Sequence, residues 1–115
     1  MRLGELIKTA AEEGKEKHVP VIELMDCPEA GCTGKLVKVT VGKEVPHPNT
    51  VEHHIKWITL FGVKGGVAVH IATFDLGPTY GAPEVTLHVN LEGFSELIAL
   101  EYCNIHGLWE SSLAL

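Results

Sequence analysis

The run LVKVTV (36–41) puts Val37, Val39 and Val41 on one side of the chain and Lys38 and Thr40 on the other. Such alternation belongs to an extended strand with one buried face, because successive side chains of a strand point to opposite faces. Period-two runs recur along most of the chain: VPVIEL (19–24), HIKWITLF (54–61), VAVHIATFDL (67–76), VTLHVNL (85–91), LIALEYC (97–103) and a closing LWESSLAL (108–115). Glycines and prolines punctuate the gaps, as in the turn Lys64-Gly65-Gly66. About seven short strands separated in this way predict an all-β sandwich or barrel. Only the start departs from the rhythm. Leu3, Leu6, Ile7, Ala10 and Ala11 recur at helical spacing and Gly14 suits a C-cap, which predicts a short N-terminal helix.

A chain of 115 residues with 45% hydrophobic side chains can bury a core without disulfide support. No linker or repeat divides it, so a single domain over residues 1–115 is expected. The net charge of -6, with no cluster of Lys or Arg, argues against nucleic acid and against anionic membranes as partners. The N-terminus lacks a continuous apolar stretch and a small-residue cleavage site, and no apolar run is long enough to span a bilayer. A cytoplasmic location follows as the expectation. In that reducing setting cysteines more often bind metal or do redox work than staple a fold.

Two segments do not read as strand: the Pro-punctuated EVPHPNTVEHH (44–54) and CNIHG (103–107). Loops on a rigid sandwich are where function usually sits. They carry His47, His53, Cys103 and His106, and His18 in EKHVP stands just before the first strand. His70 and His88 lie inside regular strands, and His54 points away from its neighbour His53; these three read as bystanders. Structural zinc is satisfied by four ligands in a closed tetrahedron. Four imidazoles and one thiolate instead suit a five-donor site with an open sixth position, where the thiolate would push electron density towards whatever binds.

EKHVP, HPNTVEHH and CNIHGLW, in that order, resemble the three signature segments of the superoxide reductases, the neelaredoxin and desulfoferrodoxin family. The resemblance runs from about Glu16 to Trp109 and is specific because three separate motifs match. It implies an immunoglobulin-like β-sandwich with one mononuclear non-haem iron, held by His18, His47, His53 and His106 in a plane and by Cys103 on the axis. It implies further that Glu16 caps the oxidised iron and that Lys17 draws in superoxide and helps protonate the product. The rubredoxin-like iron domain of longer members has no counterpart here, so the chain resembles the one-iron class. A rubredoxin-like electron donor and a homodimer or homotetramer are the partners implied.

The reaction implied is one-electron reduction of superoxide to hydrogen peroxide. Neutral imidazoles, one thiolate and Fe(II) would leave a local positive charge, and Lys17 would add another. At a few ångströms these outweigh a diffuse, screened negative surface. The backbone N–H groups of Ile105 and His106 are placed to donate to the Cys103 sulfur. Pro46, Pro48 and Asn49 read as scaffolding for the histidine loop, and Trp57 and Trp109 as core. Competing readings are a non-catalytic zinc or iron protein, a dismutase, and a plain β-sandwich interaction module. Cys27 and Cys32, in MDCPEAGCTGK, fall outside the signature and admit three readings: idle thiols, a local disulfide, or ligands of a metal shared between subunits.

Overall fold

Each alternating run forms a strand in the computed structural model, which describes residues 1–32 and 34–115. The strands are β1 (Val21–Asp26), β2 (Lys35–Thr40), β3 (Ile55–Lys64), β4 (Val67–Asp75), β5 (Glu84–Val89), β6 (Glu96–Cys103) and β7 (Gly107–Ala114). They make two antiparallel sheets, a three-stranded one ordered β1-β2-β5 and a four-stranded one ordered β4-β3-β6-β7. The arrangement is an immunoglobulin-like sandwich, as the resemblance implies. Val37, Val39 and Val89 from one sheet, with Val41 just past β2, pack against Ile58, Leu60, Leu97 and Ala99 from the other. The β3–β4 hairpin turns through Gly65 and Gly66 at φ 57° and 74°, the left-handed conformations that a two-residue hairpin loop requires.

The N-terminal segment differs from the expected helix. It forms two single 3-10 turns, Leu3–Glu5 and Ala10–Glu12. Between them the Lys8 N–H donates to the Leu108 carbonyl, and the Glu110 N–H donates to the Lys8 carbonyl, both at 2.9 Å. A continuous helix would have used those groups internally; docking along β7 uses them instead. Thr9 then starts the second turn through a capping box with Glu12. Among the described residues no helix is long and apolar enough to cross a membrane.

Cys27 and Cys32 form a local disulfide in the β1–β2 loop, one of the three readings left open by the sequence. Strand direction then sorts the rest. The segments before β1, after β2, before β3 and between β6 and β7 all emerge at one end of the sandwich, and these segments, together with Cys103 at the end of β6, carry every candidate ligand.

Candidate metal centre

His18, His47, His53 and His106 converge at that end. Each ring lies edge-on to the next, with centroids 4.9 Å apart for His18–His47, 4.7 Å for His47–His53, 5.2 Å for His53–His106 and 4.8 Å for His18–His106. The four rings therefore close a circle in the order 18–47–53–106. Glu16 Oε1 points into it, 2.9 Å from the Nε2 atoms of His18, His47 and His53 and 3.5 Å from His106 Nδ1. Cys103 Sγ reaches the same circle from the core, 3.8 Å from His47 Nε2 and 3.8 Å from His106 Nδ1. Cys103 is fully buried, whereas the Glu16 side chain is 35% exposed, so the thiol flank is dry and the carboxylate flank faces solvent.

Two of these crowded donors are left unsatisfied. Glu16 Oε1 and His53 Nε2 are buried with no hydrogen-bond partner among the described residues. Burying a polar atom unpaired costs on the order of 1–3 kcal/mol, and lone pairs aimed at a common point repel. A cation at that point removes both penalties. With metal–nitrogen bonds of about 2.1 Å, neighbouring donors at right angles lie roughly 3 Å apart, which matches the 2.9 Å spacing of Glu16 Oε1 and the imidazoles.

Protonation states suit a cation as well. Burial pushes the pKa values of His18 and His47 down, with neighbouring imidazoles adding to the effect, so both rings are held neutral with a lone pair available. Burial pushes the Cys103 thiol up, while backbone N–H groups of His106 and Ile105 pull it down. A bound cation would displace that thiol proton.

The supports around the circle are local. The His47 Nδ1–H donates to the Pro48 carbonyl at 2.7 Å, leaving Nε2 for the centre. The His53 N–H donates to Thr50 Oγ1, and the His54 N–H to Asn104 Oδ1 at 2.8 Å. The Asn104 Nδ2–H donates to the Glu52 carbonyl at 2.9 Å, so the CNIHG motif itself clamps the histidine loop. The His106 N–H donates to Cys103 Sγ at 3.4 Å. Trp109, 4% exposed, stacks on His18, and Lys8 Nζ both lies over the Trp109 ring and donates to the His106 carbonyl. Asn49 ties the loop outward, accepting from the Thr79 N–H at 3.0 Å.

All six candidate donors therefore meet, including Glu16. Lys17 does not join the circle; its Nζ sits at the rim between Glu13 and Glu44, at 3.8 and 3.9 Å. His70 and His88 are exposed on their strands, and His54 turns its Nδ1 to the Thr50 carbonyl. Two participants escaped sequence reasoning. Glu13 Oε2 accepts from the N–H groups of His18 and Val19 at 3.2 and 2.7 Å, anchoring the loop that carries Glu16 and Lys17. Glu101 lies two residues before Cys103 and is completely buried. The period of two in LIALEYC placed Glu101 on the same face as Leu97, Ala99 and Cys103 and was the available signal.

A β-sandwich that gathers four imidazoles, a thiol and a carboxylate at one end defines a metal-binding protein. The family model for desulfoferrodoxin matches residues 10–112. The chain belongs to the desulfoferrodoxin family. It is 42% identical to the superoxide reductase of Pyrococcus horikoshii over 98% of each chain. It is 37% identical to the neelaredoxin of Megalodesulfovibrio gigas, over 100% of this chain and 98% of that one. The solved superoxide reductase of Ignicoccus hospitalis superposes with a TM-score of 0.83 at 35% identity, covering 100% of this chain and 98% of that one.

Proposed function

We propose that this chain is a one-iron superoxide reductase, a single iron-binding domain over residues 1–115 that converts superoxide, one electron and two protons into hydrogen peroxide. The observation that carries the reading is the circle of four imidazoles approached by Cys103 from the core and by Glu16 from the solvent side. Iron held by His18, His47, His53, His106 and Cys103 would supply the electron.

The chain's own residues do the rest. The buried Cys103 flank excludes water, and the amides of Ile105 and His106 hold negative charge on its sulfur. Glu16 would cap the centre from the solvent side and give way to an anion. Lys17 supplies positive charge at the rim, where it attracts superoxide and can pass a proton inward through water. It works from within a loose pairing with Glu13 and Glu44. The reading includes a rubredoxin-like electron donor, a cytoplasmic location and a homodimer or homotetramer, all supported by the family resemblance.

The test is a pulse of superoxide delivered to iron-loaded, reduced protein, with peroxide and dioxygen measured together. One peroxide per superoxide and no dioxygen is the expected result. Half that peroxide with dioxygen released would mean dismutation, and no superoxide loss would leave a metal protein without this activity.

A further inference from the structure

A second set of soft donors sits at the opposite end of the sandwich. β2 runs from Lys35 at that end to Thr40 near His47, and its six residues span roughly 17–20 Å. The β1–β2 loop there contains the disulfide between Cys27 and Cys32. Met25, Leu36 and His88 pair across the sheet in one row, so their side chains share a face. His88 is exposed on it while its neighbour Val89 turns into the core. Gly34, whose φ is 87°, runs against the end of β5: its hypothetical Cβ would lie 2.2 Å from the Val89 carbonyl oxygen. Only glycine tolerates that approach, one residue along β5 from His88.

The consequence is a tight trio. Cys27 Sγ lies 3.6 Å from His88 Nε2, and the two sulfurs and a His88 ring nitrogen all lie within 4.8 Å of one another. In a tetrahedral site with metal–sulfur bonds of about 2.3 Å and metal–nitrogen bonds of about 2.0 Å, ligand atoms stand roughly 3.5–3.8 Å apart. The Cys27–His88 edge already has that length. The sulfurs need only the separation that breaking their bond provides.

We propose that Cys27, Cys32 and His88 form a redox-gated site for a zinc-class divalent cation, closed as the disulfide and opened by reduction. A dithiol reductant supplies two electrons and two protons: the Cys27–Cys32 bond breaks, two thiols form, and the reductant becomes its own disulfide. Cation binding then releases both thiol protons to solvent, and two thiolates, the His88 imidazole and one water complete the tetrahedron. A disulfide oxidant reverses the step: it takes two electrons from the thiolates and two protons from solvent to become a dithiol, the Cys27–Cys32 bond re-forms, and the cation leaves. The site shares no residue with the histidine circle.

The test uses iron-loaded protein, reduced with a dithiol, freed of it by anaerobic gel filtration and titrated with zinc while bound iron and zinc are both counted. The expected result is one zinc per chain in addition to the retained iron, with none taken up by the disulfide form. Cys27→Ser and Cys32→Ser lose the added zinc, and His88→Gln binds it more than about tenfold more weakly. Retained iron in each variant shows that the fold survives. Absence of added zinc in the reduced protein, zinc entering only by displacing iron, or unchanged affinity in H88Q would each overturn the proposal.

Discussion

The imidazole of His18 stacks on the indole of Trp109, with ring centroids 4.6 Å apart and planes 12° from parallel. His18 precedes β1 and Trp109 lies in β7, so this contact joins the edges of the two sheets at the metal-binding end. The indole also donates from Nε1 to the His106 carbonyl at 3.3 Å, which links two candidate ligands through one side chain. Trp109→Phe keeps an aromatic face under His18 but loses the Nε1 bond, and should cost about 1 kcal/mol of stability. Trp109→Ala removes both and leaves a cavity, at a cost of about 3–5 kcal/mol, and should weaken metal binding more than the Phe variant does. Denaturant unfolding and competition with a chelator measure the two effects. Equal metal affinity in both variants would show that the stack does not orient His18.

Glu13 offers a second handle on the same loop. Its Oε2 accepts two backbone N–H groups, at His18 and Val19, and these are charge-assisted bonds of the stronger kind. Glu13→Ala leaves both N–H groups unpartnered and should destabilise the metal-free protein by about 2–3 kcal/mol. Glu13→Gln retains an acceptor oxygen and should recover more than half of the loss. If loop placement is what Glu13 provides, metal affinity falls in the Ala variant and is largely restored in the Gln variant. A fall of equal size in both would point to its charge beside Lys17 instead.

What could be read from the sequence divides by range. The strands were legible because alternation in LVKVTV or LIALEYC is a local pattern that any sandwich must obey. The donors were legible because Cys and His in Pro- and Gly-bounded loops are chemically conspicuous, even though His18 and His106 are 88 residues apart. The N-terminal helix failed for a long-range reason. Lys8 spends its backbone groups on β7, a partnership about a hundred residues away that no local periodicity encodes. Glu13 was hidden in an ordinary charged stretch, AEEGKEK, because its role depends on backbone direction five residues later. Cys27 and Cys32 had compatible spacing, but spacing alone does not choose between thiols and a disulfide.

Gly42 is the position where backbone freedom bears most directly on the centre. Its φ is 83°, and a Cβ there would lie 2.5 Å from the His47 nitrogen and 2.9 Å from the Val45 carbonyl oxygen. Both obstacles are backbone, so neither can swing aside. Gly42→Ala should cost more than about 2 kcal/mol, combining left-handed strain with overlap. Relaxation would push His47 out of the circle, so metal affinity should fall along with stability. Gly65→Ala, at φ 57° but with no atom within 4 Å of its Cβ, is the comparison. It should lose stability by a smaller amount and leave metal affinity unchanged. Similar metal affinity in the two variants would refute the link from Gly42 to His47.

Glu101 gives the stability of the molecule a pH dependence of its own. It is fully buried between Leu97, Ala99 and Cys103 on the inward face of β6, and neither carboxyl oxygen has a hydrogen-bond partner among the described residues. Burial, with the negative charge of Glu13 adding to it, pushes its pKa from 4.5 up to about 9. The folded chain therefore keeps a proton that the unfolded chain gives up above 4.5. Folding binds protons across that window, so this group makes stability fall as pH rises from about 4.5 to about 9. The slope from one such group approaches about 1.4 kcal/mol per pH unit. Glu101→Gln keeps the shape but carries no titrating proton. The difference in unfolding free energy between metal-free wild type and E101Q should be small near pH 5 and should grow in favour of E101Q towards pH 8. Comparing the two proteins cancels the contributions of the titrating groups that do not interact with Glu101. Stability curves that run parallel over this range would mean that Glu101 is already ionised in the folded chain.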